Sequence, residues 1–317
     1  MIAYPPKQQG KFMAYSHDEL IKLIHQTKAL HVWNHKTGPV FWYAANVPGP
    51  FYVNTEQLLG RTTADKMLAD ITAIIEKTKD ATGRAVQVEK VVMDVYAKDD
   101  VFKKIIATML VHAKEKFPSG SYDFISGGER RDWLFSVPFA KEIGIPHAYL
   151  FKNHDISCAT PLKPQQKALH VCDLINNGAS YFDSWLPALK KQQLECHATI
   201  CVLSRNDLAL KKLSDAGIEP LSLAAIDVPF FEQSAKSGLV DKDVVAEIET
   251  YFHSPQKWGE KYVMGNAAIF DAAHTDKKSF ERLQFFFGKD PWNLRAGHEA
   301  FFAQMQKEIA ARLEKAA

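Results

Sequence analysis

The run Val171-Cys172-Asp173-Leu174-Ile175-Asn176-Asn177-Gly178-Ala179-Ser180 ends an apolar stretch and precedes a helix-like segment. A turn of this composition points several backbone N–H groups at one spot. A helix start adds unpaired donors and the positive end of its dipole, so the favoured guest is an anion. Gly178 lets the backbone approach a ligand closely. Asn176, Asn177 and Ser180 offer side-chain hydrogen bonds, Ala179 its amide, and Asp173 can accept from the hydroxyls of a sugar. Ser180 and Asp183 are also spaced as a helix cap and its acidic partner. Residues alone leave two readings open, a phosphate cradle or a capped helix after an ordinary turn.

A second anion cradle is spelled by Gly127-Gly128-Glu129-Arg130-Arg131-Asp132, at the preceding strand-to-helix junction. Adjacent arginines there oppose the helix dipole by roughly 0.3–1 kcal/mol each unless something acidic neutralises them. Either Glu129, Asp132 or Glu142 does so, or an arginine with the Gly127, Gly128 and Glu129 backbone holds a diphosphate. Other chemistries lack their patterns. Neither GxGxxG nor GxxxxGK[ST] occurs, and Ser136 and His154 lie in no nucleophile elbow. Cys196-His197 with Cys201 lacks the second pair that a zinc site needs, so no residues are assigned to a protein-held metal.

The elements that must position these loops follow from periodicity. Ser16-His17-Asp18-Glu19 is a capping box followed by Leu20, Ile21, Leu23 and Ile24 at helical spacing, which predicts a helix of about 14 residues. Short strands with tight turns are expected at 30–33 and 40–44, and a helix at 63–79. From 91 the pattern alternates. Strands fall at 91–96, 122–126, 147–151, 168–172, 198–203 and 221–223, and helices at 100–117, 133–143, 181–190 and 207–217. Such alternation predicts an α/β fold, a mostly parallel sheet with helices on both faces and ligands beyond the strands' carboxyl ends. After Asp227 only helices are expected, at 240–252 and 298–315, in an aromatic-rich tail whose rings bury it on the α/β domain or across a dimer. The division expected is 1–235 for the α/β domain with its N-terminal hood, and 236–317 for a helical extension.

These segments resemble the type I phosphoribosyltransferases over roughly residues 40–225. In that family the phosphate loop follows a strand ending in two acidic residues, two apolar residues and then Thr-Thr-Gly-Gly-Ser. Asp173, Leu174, Ile175, Gly178 and Ser180 match, while Cys172 stands in place of the first acid. A thiol of ordinary pKa (~8.5) is no charged acceptor near neutrality. The frame is most similar to the orotate branch: Tyr122-Asp123-Phe124-Ile125 before the diphosphate loop, Gly144-Ile145-Pro146 and Ala148 to Lys152 after it, Gly49-Pro50-Phe51-Tyr52-Val53-Asn54 upstream, and Ser204-Arg205 with Gly217-Ile218 downstream. Lys152 matches the lysine of that branch's Arg-Lys pair. Phe151 replaces the arginine, Ala44 replaces a ligand-binding lysine, and the long catalytic loop is shortened to 153–166, with His154, Lys163 and Lys167 as its remaining cations.

The resemblance implies transfer of the phosphoribosyl group of phosphoribosyl pyrophosphate to a nitrogenous base, orotate-like or other, with release of diphosphate. It implies a type I phosphoribosyltransferase-like fold and magnesium held mainly through the diphosphate and ribose hydroxyls. Asp173 and Lys152 would then be catalytic, Asn176 to Ser180 would hold the 5′-phosphate, Gly127 to Arg131 the diphosphate, and Phe51, Tyr52 and Arg205 the base. A nucleotide monophosphate is the expected product ligand and a homodimer the expected assembly. Two alternatives are a non-catalytic or regulatory nucleotide-binding relative, favoured by Cys172, Ala44 and Phe151, and a sugar-phosphate hydrolase.

Composition bounds the rest. The chain has 317 residues, 46% apolar and 24% charged, with net charge +2 and scattered basic residues, which argues against a nucleic-acid surface. No apolar run reaches a membrane span, and Met1-Ile2-Ala3-Tyr4-Pro5-Pro6 lacks a signal-peptide core, so a cytoplasmic protein with reduced cysteines is expected.

Overall fold

The computed structural model describes residues 13–33, 38–205 and 207–316; the Met1 to Pro6 stretch lies outside them. No described helix is long and apolar enough to cross a membrane. The chain forms two compact units, the described parts of Met1–Ala29 with Asn54–Ile226, and Leu30–Val53 with Asp227–Ala317.

The first unit is built on a six-stranded sheet: β1 Phe124–Gly128, β2 His147–Leu150, β3 Ile156–Cys158, β4 Lys167–Ile175, β5 Glu195–Ser204 and β6 Glu219–Ala225. Their spatial order is β6-β5-β4-β1-β2-β3, and every pairing is parallel except that of β3 with β2. The strands are apolar on both sides, as a doubly covered sheet requires. Phe124, Ala168, Cys172 and Cys201 share a cluster with Leu189 and Leu213 of the helices Leu186–Lys191 and Asp207–Asp215. The alternate residues Ile125, Leu169, Val171 and Ile200 are equally buried and point the other way, where the helices Asp100–Lys116 and Asp132–Ile143 pack. β1 and β4 are central neighbours, with Phe124 opposite Ala168 and Ser126 opposite His170. The loops that follow them therefore emerge side by side.

Three features depart from the sequence expectation. Residues 91–96 are no strand but the end of the helix Ala81–Tyr96. Its buried residues Ala85, Val88, Val92 and Tyr96 recur at helical spacing, and the Asp80 side chain caps it by accepting from Gly83 N at 2.6 Å. The β-branched Val91-Val92 pair suggests a strand, but periodicity overrides propensity here. Within 153–166, β3 folds back as an antiparallel edge strand where only a loop was expected. The domain division also differs. Hood residues 30–53 form a unit with the chain after residue 226, since Trp33, Val40 and Trp42 share one core with Trp258, Phe270, Phe286, Phe287 and Phe302. The tail's aromatics thus bury one another around these three residues, in contacts such as Trp33 on Trp258 with centroids 5.4 Å apart. Helices Val228–Lys236 and Lys277–Lys289 add to those expected in this unit.

The helix at 81–96 can be tested by one pair of substitutions, because a strand would put Val86 and Val88 on the same face. Val86 is 65% exposed and Val88 fully buried. We expect Val86→Lys to change stability by no more than about 0.5 kcal/mol. Val88→Lys, which buries an unpaired charge, should cost several times that in denaturant unfolding. Equal effects would contradict the helix.

Candidate functional site

A cleft of about 290 Å³ opens at the carboxyl ends of β1 and β4. Its lining includes Glu129 to Asp132, Lys152, Cys172 to Tyr181, and Trp185. The two loops singled out by the sequence and the lysine after β2 thus face one space.

The hub of that space is Asp132, the first residue of the helix Asp132–Ile143. Its Oδ2 accepts from Gly128 N (2.9 Å) at the end of β1, and its Oδ1 accepts from Asp173 N (3.2 Å) on β4. Gly128 is required there, since a Cβ would overlap the Trp185 ring and come within 2.7 Å of Asp132 Oδ2. Beneath Asp132 lies buried His170, its Nε2 3.5 Å from Asp132 Oδ2 and its Nδ1 2.9 Å from Ser126 Oγ. The Trp185 ring stacks on His170 at 28° between planes.

Asp173, half-buried at the cleft floor, has its carboxyl pushed well above the usual aspartate range. Burial is the largest cause and the neighbouring Asp132 carboxylate the next, while Arg131 pulls the other way. Cys172 does not repair the missing acid. Its Sγ lies 3.1 Å from the Tyr181 hydroxyl, within the core, and burial pushes its thiol further above neutrality. Tyr181 in turn meets Thr199 Oγ1 at 2.6 Å. In the phosphate loop Gly178 adopts φ +74°, and Asn177 Oδ1 accepts from Ala179 N at 3.0 Å. The expected cap at Ser180 is absent: the next segment begins as the π-turn Tyr181–Trp185, and Ser180 makes no capping bond.

In the second loop the Glu129–Arg130 peptide is cis. The arginines are partnered, but by none of the acids the sequence offered. Arg131 Nη2 is 3.2 Å from Oε1 of buried Glu56, whose Oε2 has no hydrogen-bond partner. Glu56 arrives on the 3-10 turn Thr55–Leu59. Arg130 donates to Thr72 Oγ1 and to Leu68 O (3.5 Å), on the helix Arg61–Lys77. Glu129 straps strand ends together: its N–H donates to Leu150 O (2.9 Å) and its Oε2 accepts from Lys152 N (3.2 Å). Lys152 itself is exposed.

The residues expected at the base do not join this lining. Phe51 is 1% exposed, its ring 5.5 Å from Phe231 and 5.6 Å from Phe252, and it belongs to the core of the second unit. A residue so enclosed offers no face to a ligand, which corrects that expectation. Tyr52 is half-buried in the same unit, near Phe41. Arg205, in the first unit, is absent from the cleft lining and bonds through its amide to Ile175 O (2.9 Å). His154, Lys163 and Lys167 are absent from the lining too, and His154 Nε2 contacts Asp183 O at 3.2 Å. Sequence reasoning missed Glu56, His170 and Trp185. It took Asp132 for a helix-start acid, which it also is.

No family profile matches the chain. A curated orotate phosphoribosyltransferase of Roseobacter denitrificans is 25% identical over 148 residues, which is 44% of this chain and 64% of that protein. The chain is similar to the type I phosphoribosyltransferases, on their orotate side. It spans under two thirds of the length of the curated relative. Among solved structures it has likeness to an orotate phosphoribosyltransferase of Francisella tularensis (TM-score 0.49, 12% identity, 74% of this chain and 96% of that one). Another is Leishmania donovani UMP synthase (TM-score 0.48, 11% identity, 75% of this chain and 42% of that one).

The raised Asp173 carboxyl gives this chain a pH signature. The folded chain keeps a proton that the unfolded chain loses near ~3.9, so stability declines as pH rises from the ordinary aspartate value through the raised one. Asp173→Asn removes that charge while keeping a donor toward Asp132. At neutral pH the variant should melt above the parent, and the gap should close below the ordinary aspartate range. A variant melting lower at neutral pH contradicts the assignment.

Proposed function

We propose that the cleft binds a 5-phosphoribosyl group activated by diphosphate and transfers it to a nitrogenous base, releasing diphosphate. The observation that carries this reading is the shared cleft, in which the 176–180 loop, the 129–131 segment and Lys152 converge, while Gly127 and Gly128 lie in β1 behind the lining. Phosphoribosyl transfer needs two anion sites a sugar's length apart and an acid facing the sugar, because catalysis there is mostly positioning and charge stabilisation. In this reading Asn176, Asn177, Gly178, Ala179 and Ser180 hold the 5′-phosphate. The Glu129 to Arg131 segment and Lys152 hold the diphosphate, and Asp173, ionised in the complex, faces the sugar as its anomeric carbon gains positive character. The base would be held outside the lining described, with Arg205 as a candidate, and the setting is the cytoplasm.

Magnesium fits the residues present. The hard carboxyl oxygens of Asp132 and Asp173 lie together where burial and like charge oppose their joint ionisation, a deficit that a hard cation relieves. When bound it would neutralise charge on the diphosphate.

Non-catalytic binding of the same ligand is the second reading. It is favoured by the Cys172 thiol turned onto Tyr181 and by Arg131 held on Glu56.

One pair of measurements separates them. Phosphoribosyl pyrophosphate with magnesium should raise the melting temperature, and Asp173→Asn should abolish the rise. Diphosphate should then be released with at least one member of a panel of purines, pyrimidines and other nitrogen nucleophiles. Binding without release selects the second reading, release without any base a hydrolase, and no shift at saturating ligand defeats all three.

A further inference from the structure

The two adjacent arginines at the cleft are not held alike. Arg130 is half-buried and donates to Thr72 Oγ1 and Leu68 O, neutral acceptors on one helix. Arg131 lines the cleft with its side chain 45% exposed, and it meets an acid, Glu56, whose side chain is 7% exposed. We infer that Glu56 is a positioning residue: it parks Arg131 beside the diphosphate site, yields it when diphosphate binds, and takes it back as diphosphate leaves. The inference rests on the reading of the cleft given above.

The two ends of this ion pair differ in freedom. Glu56 sits on the 3-10 turn Thr55–Leu59, whose five residues are all buried, and it is absent from the cleft lining. It cannot follow the arginine out, whereas the long, exposed side chain of Arg131 can swing. The contact is also weak for its type. Nη2 lies 3.2 Å from Oε1 while Oε2 has no hydrogen-bond partner, so the two-point fork that makes arginine–carboxyl pairs strong is not formed. A diphosphate, with several acceptor oxygens within reach of the same guanidinium, can form that fork and draw Arg131 away. Recovery is favoured for a different reason. Among the described residues no second cation pairs with Glu56, so the departure of Arg131 strands an enclosed acid. Such a state costs more than the pair itself contributes. Diphosphate therefore binds against the stranding of Glu56 and leaves with its relief. For a transfer reaction this bears on the last step, because a cation that stayed on the product would retain it, and product release often sets turnover.

Calorimetry of the full chain with inorganic diphosphate and magnesium tests this. Glu56→Gln keeps the shape of the side chain and removes the acid, so it should bind diphosphate roughly tenfold more tightly than the parent. That gain should vanish when Arg131→Ala is added, as expected of an effect that runs through Arg131. A gain that survives Arg131→Ala is plain relief of repulsion between Glu56 and the anion, and it overturns the inference. So does a Glu56→Gln protein that binds no more tightly than the parent while the parent binds, and the cleft reading then stands without it. Glu56→Asp keeps the acid and shortens its reach by one methylene. It should also bind diphosphate more tightly, and it decides the matter by the same criterion should Glu56→Gln not fold. In turnover, Glu56→Gln should lower KM for phosphoribosyl pyrophosphate and kcat together, with stronger inhibition by diphosphate, whereas a merely structural defect raises KM. A parent protein that binds neither diphosphate nor phosphoribosyl pyrophosphate defeats the cleft reading and this inference with it.

Discussion

Two backbone amides, from the ends of adjacent parallel strands, converge on one carboxylate. Gly128 and Asp173 both donate to Asp132, and this fixes the spacing of the two loops that make the cleft. Parallel strands end in loops that share no hydrogen bonds of their own, so their relative position depends on whatever ties them. Here the tie is an acidic side chain at the floor of the cleft. That choice explains much of the surroundings. The 176–180 loop has no acidic residue, Glu129 turns its carboxylate to the backbone of Lys152, and Asp173 resists ionisation.

A cleft lined by three acids and three bases carries little net field, so selectivity must come from where each charge sits. Asp132 and Glu129 are locked by backbone bonds and the arginines are tethered to Glu56 and to the helix Arg61–Lys77, with Lys152 exposed. Any ligand entering the cleft then meets a few long side chains over a braced floor. Trp185 and His170 stiffen that floor by stacking under the strand ends.

The sheet was legible in the sequence because doubly covered strands are short apolar runs between turn residues, and β1, β2, β4, β5 and β6 all read that way. The helix Ala81–Tyr96 was not, because Val91 and Val92 carry strand propensity and only the burial of Ala85, Val88 and Tyr96 reveals the period. At the site, glycines and asparagines announced the loops, since backbone geometry is written locally. Glu56 was invisible: its partner lies 75 positions away in the chain, and no local rule ties a glutamate on a 3-10 turn to an arginine on another loop. Phe51 misled for the opposite reason. Its local motif matched, but an aromatic ring serves a core as readily as a stack, and Phe231 and Phe252 claim it.

The Glu56 contact has a further consequence. An arginine already clasped by an enclosed carboxylate is not a vacant cation, and any incoming anion must take the place of a resident one. Chloride and single carboxylates gain nothing by such an exchange, since they offer no more charge than they displace. A group with two or more negative charges and several acceptor oxygens does gain, because it can span the guanidinium's fork and reach the lysine beside it. The chain thus carries its own competitor, a built-in threshold that sorts visiting anions by valence.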